Sequence, residues 1–378
     1  MKIVNSSFED FADYVKKKKQ RIIFWGAGAI GKVLIPYLCN RFCLDDSVDA
    51  FIDSNVSKQG ENVELFTRSI RIRPPAWLAG NARKDMVIVI TNGDFISSME
   101  QLNGIEQLKE HLCFVAPVMQ LARGSMPGSI RVESEDPLIP KRIHYCWFSG
   151  RPMPEKFRNC IDSWKNYCPD YEFICWNESN FDLAKYRYTK EAAQAGKWAF
   201  IPDVVRLEVL YEYGGFYFDT DVEILKSLEP LRYQNAFCGR EEWGHVNFGG
   251  GSGCRQHASM VGQLLEFRKH EAFVKDNGIL NTEASGYYET APLMKKGLHI
   301  ENRTETVDGL TVYASEYFSP YNYSSGTEHI TENTFSIHYF HGGWLGKQGA
   351  LSRKRTRERY AETVKAMIPL EKERDGAV

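Results

Sequence analysis

Two carboxylates crowded at the end of a strand are the first chemical signal in the chain. Asp219 and Asp221 flank Thr220 in "GGFYFDTDVEIL". Such a pair is costly to hold together without a cation. Hard oxygen ligands with an open coordination sphere suit Mg²⁺ or Mn²⁺ bridging a diphosphate. A solvated turn is the plainer alternative for the same three residues. Just upstream, Asp203 and Arg206 sit three apart and share a helical face. Pro202 suits the first turn of that helix. Leu207, Leu210 and Tyr211 continue its apolar stripe, and Gly214 and Gly215 end it. A second signal lies near the N-terminus, in "RIIFWGAGAIG". Gly26, Gly28 and Gly31 follow a short apolar strand with the spacing that lets a backbone approach a pyrophosphate at a helix N-terminus. Asp53 ends the next strand, where an acid can bind a ribose hydroxyl. The same turn also serves simple strand–helix packing. No His, Lys or Tyr pattern of a dehydrogenase follows it.

These two signals belong to different parts of the chain. With 378 residues, two domains are expected rather than one. Residues 1–125 read as alternating strands and helices: "RIIFW", "VDAFID", "MVIVIT" and "CFVAP" as strands, "AIGKVLIPYLCNRF" as a helix. "MVIVIT" has the unbroken apolar character of a buried parallel strand. Residues 126–138, rich in Gly, Ser, Pro and charge, read as a linker. A second alternation opens at "KRIHYCWF": strand "RIHYCWF", helix "EKFRNCIDSWKNY", strand "YEFICW", helix "DVVRLEVLYEY", strand "FYFDTDVEIL". Residues 230–345 read as irregular, with many glycines and aromatics. Residues 351–378 form a basic tail with Tyr360, Val364, Met367 and Ile368 at helical spacing. The fold class is α/β, in two domains.

Composition narrows the function. A formal net charge of −2 argues against general affinity for nucleic acid. The nine cysteines include no C-x-x-C, so neither zinc nor a disulfide framework is indicated. Reduced thiols fit a cytoplasmic protein. The N-terminus lacks a signal peptide's apolar region, and no run approaches the roughly 18 apolar residues of a membrane span.

Three ordered motifs between residues 139 and 345 resemble glycosyltransferase family 32, the DXD-containing capsular-polysaccharide and mannosyltransferase-like sugar transferases, with distant similarity to the clostridial glucosylating toxins. They are "IPKRIHYCWFSGRPMPEKFRNCIDSWKNYCPDYEFICWNESNFD", "AFIPDVVRLEVLYEYGGFYFDTDVEILKSLEPL" and "TFSIHYFHGGW". The resemblance implies a GT-A domain over 139–350, behind a Rossmann-like accessory domain. It implies a metal-dependent hexosyltransferase that retains configuration at the anomeric carbon. Trp147 then falls where relatives stack an aromatic ring on uracil, which favours a UDP-hexose donor. Asp203 and Arg206 match the pair that holds donor sugar and ribose. By the same resemblance, Asp221 is expected to contact the metal and Asp219 to meet ribose and metal through water, with His338 as third ligand, Trp344 closing over the diphosphate on Gly342 and Gly343, and Asn247 near the reacting carbon. The chain departs from the pattern at Pro202, where Ser is usual, at Tyr339, where a second His is usual, and at His341, where Ser is usual.

The implied ligands are Mn²⁺ or Mg²⁺, a nucleotide sugar, and a glycan or lipid-linked oligosaccharide acceptor of bacterial capsular or surface polysaccharide synthesis. A second nucleotide at Gly26, Gly28, Gly31 and Asp53 is the open question of the first domain. Competing readings are an NAD(P)- or nucleotide-sugar-dependent oxidoreductase or epimerase using that fingerprint, and a non-catalytic nucleotide-sugar-binding protein. The tail either packs on its own protein or brings the chain to the inner face of a membrane.

Overall fold

The computed structural model describes residues 1–121, 124–343 and 345–370. It is a mixed α/β structure in two compact units: residues up to Gly124 together with those from Lys347 onward, and residues Ser125–Gly346. In the first unit, strands β1 (Lys2–Asn5), β2 (Arg21–Trp25), β3 (Val48–Ile52), β4 (Asn62–Glu64), β5 (Ser69–Arg73), β6 (Met86–Ile90) and β7 (Leu112–Val115) form one sheet. Its order is β1-β7-β6-β2-β3-β5-β4, parallel except at β4–β5. Every residue of β6 is buried, which an apolar strand covered on both faces requires.

The C-terminal tail belongs to this unit. Helix Gly346–Ala366 is followed by Ile368–Pro369, which pairs in parallel with β1. Tyr360, Val364 and Met367 pack against the core around Ile23, Ile88 and Phe95. Arg355 and Arg359 both donate to Glu100, at 2.6 and 2.7 Å. Three residues of the apolar stripe read from the sequence are thus covered by protein, Ile368 stays 45% exposed, and two of the basic neighbours are paired. Residues 371–378 lie outside the described residues.

The second unit carries strands β8 (Arg142–Cys146), β9 (Glu172–Trp176), β10 (Gly215–Tyr217), β11 (Val222–Ile224), β12 (Ala236–Arg240), β13 (Val246–Cys254), β14 (Glu305–Val307), β15 (Leu310–Tyr313) and β16 (Ser336–His338). Seven form a mixed sheet in the order β14-β15-β12-β13-β10-β8-β9, and β11 pairs with β16. Residues 126–138, expected as a linker, hydrogen-bond into this unit. Met126 N–H donates to Asn302 O (2.8 Å), Arg131 N–H to Tyr313 Oη (2.9 Å) and Glu133 N–H to Tyr233 O (2.7 Å). The expected single strand "FYFDTDVEIL" is two, β10 and β11, broken at the Asp219–Asp221 turn. Residues 230–345, expected as irregular, hold five of the strands and helices Ser259–Lys269 and Ser285–Met294.

Helix Pro202–Tyr213 is buried on almost every face from Asp203 to Leu210. It begins on Pro202 and stops at Gly214, with φ +62°. Gly215 follows at φ +103°, and a Cβ there would lie 2.6 Å from Arg142 O. Two glycines therefore turn the chain directly from helix into β10, against β8. His144 of β8 locks this junction. It is fully buried, bonded to Gly214 O (2.9 Å) and accepting at Nδ1 from Trp176 Nε1 (3.1 Å). Burial lowers its pKa to about 4, so it stays neutral and structural.

A chain ending at Gly346 should lose about 3 kcal/mol or more of first-unit stability, because Tyr360, Val364 and Met367 no longer cover its core. Urea denaturation of the two chains measures this. An unchanged midpoint would show that the tail adds nothing to the core.

Candidate active site

The turn after β10 projects two carboxylates, and the β11–β16 ladder brings a third donor to them. Val222 pairs with His338 in that ladder, so the residue beside Asp221 is held opposite the imidazole. One ligand atom from each of Asp219, Asp221 and His338 lies within 4.8 Å of the others. The turn is tight: Asp219 N–H donates to Gly249 O (2.8 Å), and Asp219 O accepts from Val222 N–H (3.1 Å). Asp221 Oδ1 faces His338 Nε2 at 3.3 Å, and Asp221 Oδ2 accepts from His341 N–H at 2.8 Å. Burial would raise the Asp221 pKa. The His338 charge and hydrogen bond, with the His341 N–H, outweigh it and hold the carboxyl well below the usual range. Burial likewise opposes a proton on His338, and Asp221 outweighs it in the other direction.

Behind the pair stands Arg206. Its guanidinium is 4% exposed and meets three carboxylates: Asp203 Oδ1 at 3.1 Å, Asp219 Oδ1 at 3.2 Å and Glu289 Oε1 at 3.1 Å. Burial favours deprotonation of Arg206, and the three acids reverse this and raise its pKa further. Tyr217 Oη also donates to Asp219 Oδ1, at 3.0 Å. Glu289 Oε2 accepts from Phe248 N–H at 2.9 Å. The Glu289 pKa is pushed up to about 7, chiefly by burial, with Arg206 opposing and the charges of Asp203 and Asp219 adding. Four carboxylates thus crowd around one guanidinium and one imidazole. The oxygen and imidazole donors of Asp219, Asp221 and His338 fit a hard divalent cation.

β13 makes the cluster possible with two glycines against it, and a third beside them against Phe318. A Cβ on Gly249 would lie 2.1 Å from Asp219 Oδ2. On Gly250 it would lie 2.8 Å from Ser319 Oγ and 3.3 Å from His338 Nδ1, and on Gly251 2.4 Å from Phe318 Cδ1. Glycine inside a strand marks this kind of close approach. Asn247 starts the same stretch. Its Nδ2 lies 2.9 Å from Glu241 Oε1 and 3.4 Å from His338 Nδ1, and its Oδ1 accepts from Gly250 N–H.

Most of the residues singled out in the sequence of the second unit therefore converge: Asp203, Arg206, Asp219, Asp221, Asn247 and His338. Trp147 joins them indirectly. It is half-buried at the end of β8, donates from Nε1 to Arg151 O (2.7 Å) and packs on Phe157 at 5.5 Å. Phe157 in turn meets the His341 ring edge-on at 5.6 Å. Trp344 lies outside the described residues. Glu289, Tyr217 and the His341 N–H were not singled out; Glu289 stands in "SGYYETAPLM", which has no motif to announce it.

The glycine turn of the first unit is built differently. Gly26 has φ +117°, and a Cβ on Gly31 would lie 2.3 Å from Gly26 O, so both serve close packing. Gly28 faces Lys58, whose Nζ a Cβ there would approach at 3.7 Å. Asp53 Oδ2 accepts from Ala27 N–H (2.7 Å) and Oδ1 from Asn55 N–H (2.8 Å), and Lys58 Nζ donates to Ala27 O (3.0 Å). The acid expected at a ribose is bonded to the loop itself.

Residues 154–238 match the family described as a glycosyltransferase sugar-binding region containing a DXD motif. That stretch includes Asp203, Arg206, Asp219 and Asp221. The chain is 36% identical over 110 residues to inositol phosphoceramide mannosyltransferase 3 of Schizosaccharomyces pombe, covering 27% of this chain and 30% of the relative. It is 30% identical over 122 residues to mannosyl phosphorylinositol ceramide synthase CSH1 of Saccharomyces cerevisiae, covering 28% and 29%. The chain thus spans about a third of the length of the curated relatives it matches. The solved structure of PaToxG glycosyltransferase overlaps 34% of this chain and 60% of its own, at 19% identity and a TM-score of 0.30.

Arg206→Ala should cost about 3–5 kcal/mol, because it leaves Asp203 and Glu289 buried without their cation. Arg206→Lys should restore little of it, since one ammonium cannot copy a fork that meets three carboxylates. Equilibrium unfolding of the three proteins decides; a lysine variant as stable as the parent would refute the fork. Gly249→Ala should cost about 1–3 kcal/mol through overpacking and should displace Asp219, which a crystal structure of the variant would reveal.

Proposed function

We propose that the chain is a metal-dependent glycosyltransferase that moves a hexose from a nucleotide sugar to a hydroxyl of a glycan or lipid-linked acceptor, with retention at the anomeric carbon. The observation that carries this reading is the convergence of Asp219, Asp221 and His338 beside the Arg206 cluster. Asp219, Asp221 and His338 would hold Mn²⁺ or Mg²⁺, which when bound neutralises charge developing on a departing diphosphate. The chain's own residues do the positioning. Arg206, fixed by Asp203 and Glu289, keeps Asp219 from turning away. The His341 N–H and the His338 imidazole orient Asp221 by both oxygens. Asp203 and Arg206 would contact the donor sugar, and Asn247 would face the reacting carbon. Trp147 offers an indole face for the base, which favours a UDP-sugar. The relatives' names as mannosyltransferases make mannose donors the natural comparison.

On this reading the chain pairs a GT-A domain with a Rossmann-like accessory domain and acts in the cytoplasm on a bacterial surface polysaccharide. The glycine turn offers less support for an oxidoreductase or epimerase. Both Asp53 oxygens already accept backbone N–H groups, and Lys58 bonds to the loop.

The test is a panel of UDP- and GDP-hexoses with Mn²⁺ or Mg²⁺, following release of the nucleoside diphosphate. One donor should turn over, chelator should abolish the release, and Asp221→Asn should lower it at least about a hundredfold, the several kcal/mol a bound cation supplies. Full activity of Asp221→Asn in chelator would overturn the metal assignment. Absence of release from every donor would overturn the transferase.

A further inference from the structure

We propose that Phe340 is the positioning residue of the acidic turn: its ring fixes the plane of the His338 imidazole, and its backbone fixes the His341 N–H on Asp221. That these groups serve a bound cation rests on the function proposed above; the positioning itself does not. Phe340 lies two residues past the end of β16 and has φ +48°. A bulky side chain in the left-handed region is an outlier, because its Cβ crowds the following carbonyl. Gly342, two residues on, takes φ +64° without that cost. Strain of this kind persists only where the surrounding structure holds it in place.

The residues on either side of Phe340 provide that hold. Tyr339 N–H donates to Asp221 O (3.1 Å), as the antiparallel register of β11 and β16 requires. A ladder continued in that register would set His341 opposite Asp219. At Phe340 the chain leaves this path. The His341 N–H returns to Asp221 instead and meets its Oδ2 at 2.8 Å. The left-handed residue thus converts the end of a strand into a second bond on the same acid.

The same turn lays the Phe340 ring over His338. The two rings are 4.0 Å apart and 24° from parallel. The polar contacts of the imidazole are long by comparison. Nε2 lies 3.3 Å from Asp221 Oδ1, and Nδ1 lies 3.4 Å from Asn247 Nδ2, both beyond the usual range for a nitrogen donor. Contacts of that length orient a ring weakly, so the stack sets its plane. Behind Phe340, Tyr323 meets its ring at 5.3 Å, and buried Trp243 meets Tyr323 edge-on at 4.9 Å. The stacking ring is therefore braced from the side away from the imidazole. Groups that orient a metal-binding histidine in this way change metal affinity by about 10–100-fold when removed.

The test uses the full chain with Mn²⁺ alone as the probe, and the same proteins without metal. Electron paramagnetic resonance counts free Mn²⁺ during a titration, and metal-free crystals locate His338. Phe340→Tyr keeps the ring and should bind Mn²⁺ as tightly as the parent. Phe340→Leu removes the ring and should bind about tenfold more weakly, with the imidazole turned away from Asp221 Oδ1 in the metal-free crystal. Phe340→Gly suits the left-handed backbone better than phenylalanine does, so it serves where the leucine variant does not fold. It should show the same loss and the same turned imidazole, because the turn without the ring is not enough. A leucine or glycine variant that binds Mn²⁺ like the parent, or that keeps His338 in place, would overturn the positioning role. So would a tyrosine variant as weak as the leucine one. A parent that binds no Mn²⁺, while His338 turns in the leucine or glycine variant, would count against the cation and leave the positioning standing.

Discussion

A single buried guanidinium holds the second unit's polar centre together. Arg206 reaches Asp203 one helical turn back, Asp219 at the end of β10 and Glu289 on helix Ser285–Met294. Each of these acids would be expensive to bury alone. Together they specify where three separate elements must meet, because every other arrangement leaves a charge unpaired. The same arrangement has more acid than base.

Much of the frame could be read from residue pattern. Pro202 and the Gly214–Gly215 pair bound their helix as expected, and "MVIVI" is buried throughout. Asp203, Arg206, Asp219 and Asp221 stood out because their spacing is local. What was missed depends on contacts remote in the chain. "VNFGGGSGC" carries no alternation and few β-formers, yet it is a central strand with all nine residues buried. Its glycines exist for side chains of other elements, Asp219 and Phe318, and nothing in the segment itself reveals them. Glu289 was silent for the same reason. Its role comes from Arg206, 83 residues earlier.

The 126–138 segment and the tail show what composition does not convey. The first read as a linker and hydrogen-bonds into the second unit, and the tail left open whether it packs on its own protein. Tyr360, Val364 and Met367 complete a core whose other residues precede Gly124. The first unit is closed by both ends of the chain, with the second unit inserted in sequence between them. A pattern read from one end to the other registers a boundary at such an insertion and has no means of noticing that the first unit resumes.

The β11–β16 ladder has a consequence for biosynthesis. It joins segments far apart in the chain; Glu223 and Tyr339, which it places together, are 116 residues apart. Contacts of that separation form late, since the loop they close must be ordered first. Until the region around His338 has left the ribosome, a nascent chain carries its acidic turn without the imidazole that shares it. The cluster thus matures only after the rest of its unit has been synthesised. Any ion it gained at that moment would favour the folded form of this unit by mass action.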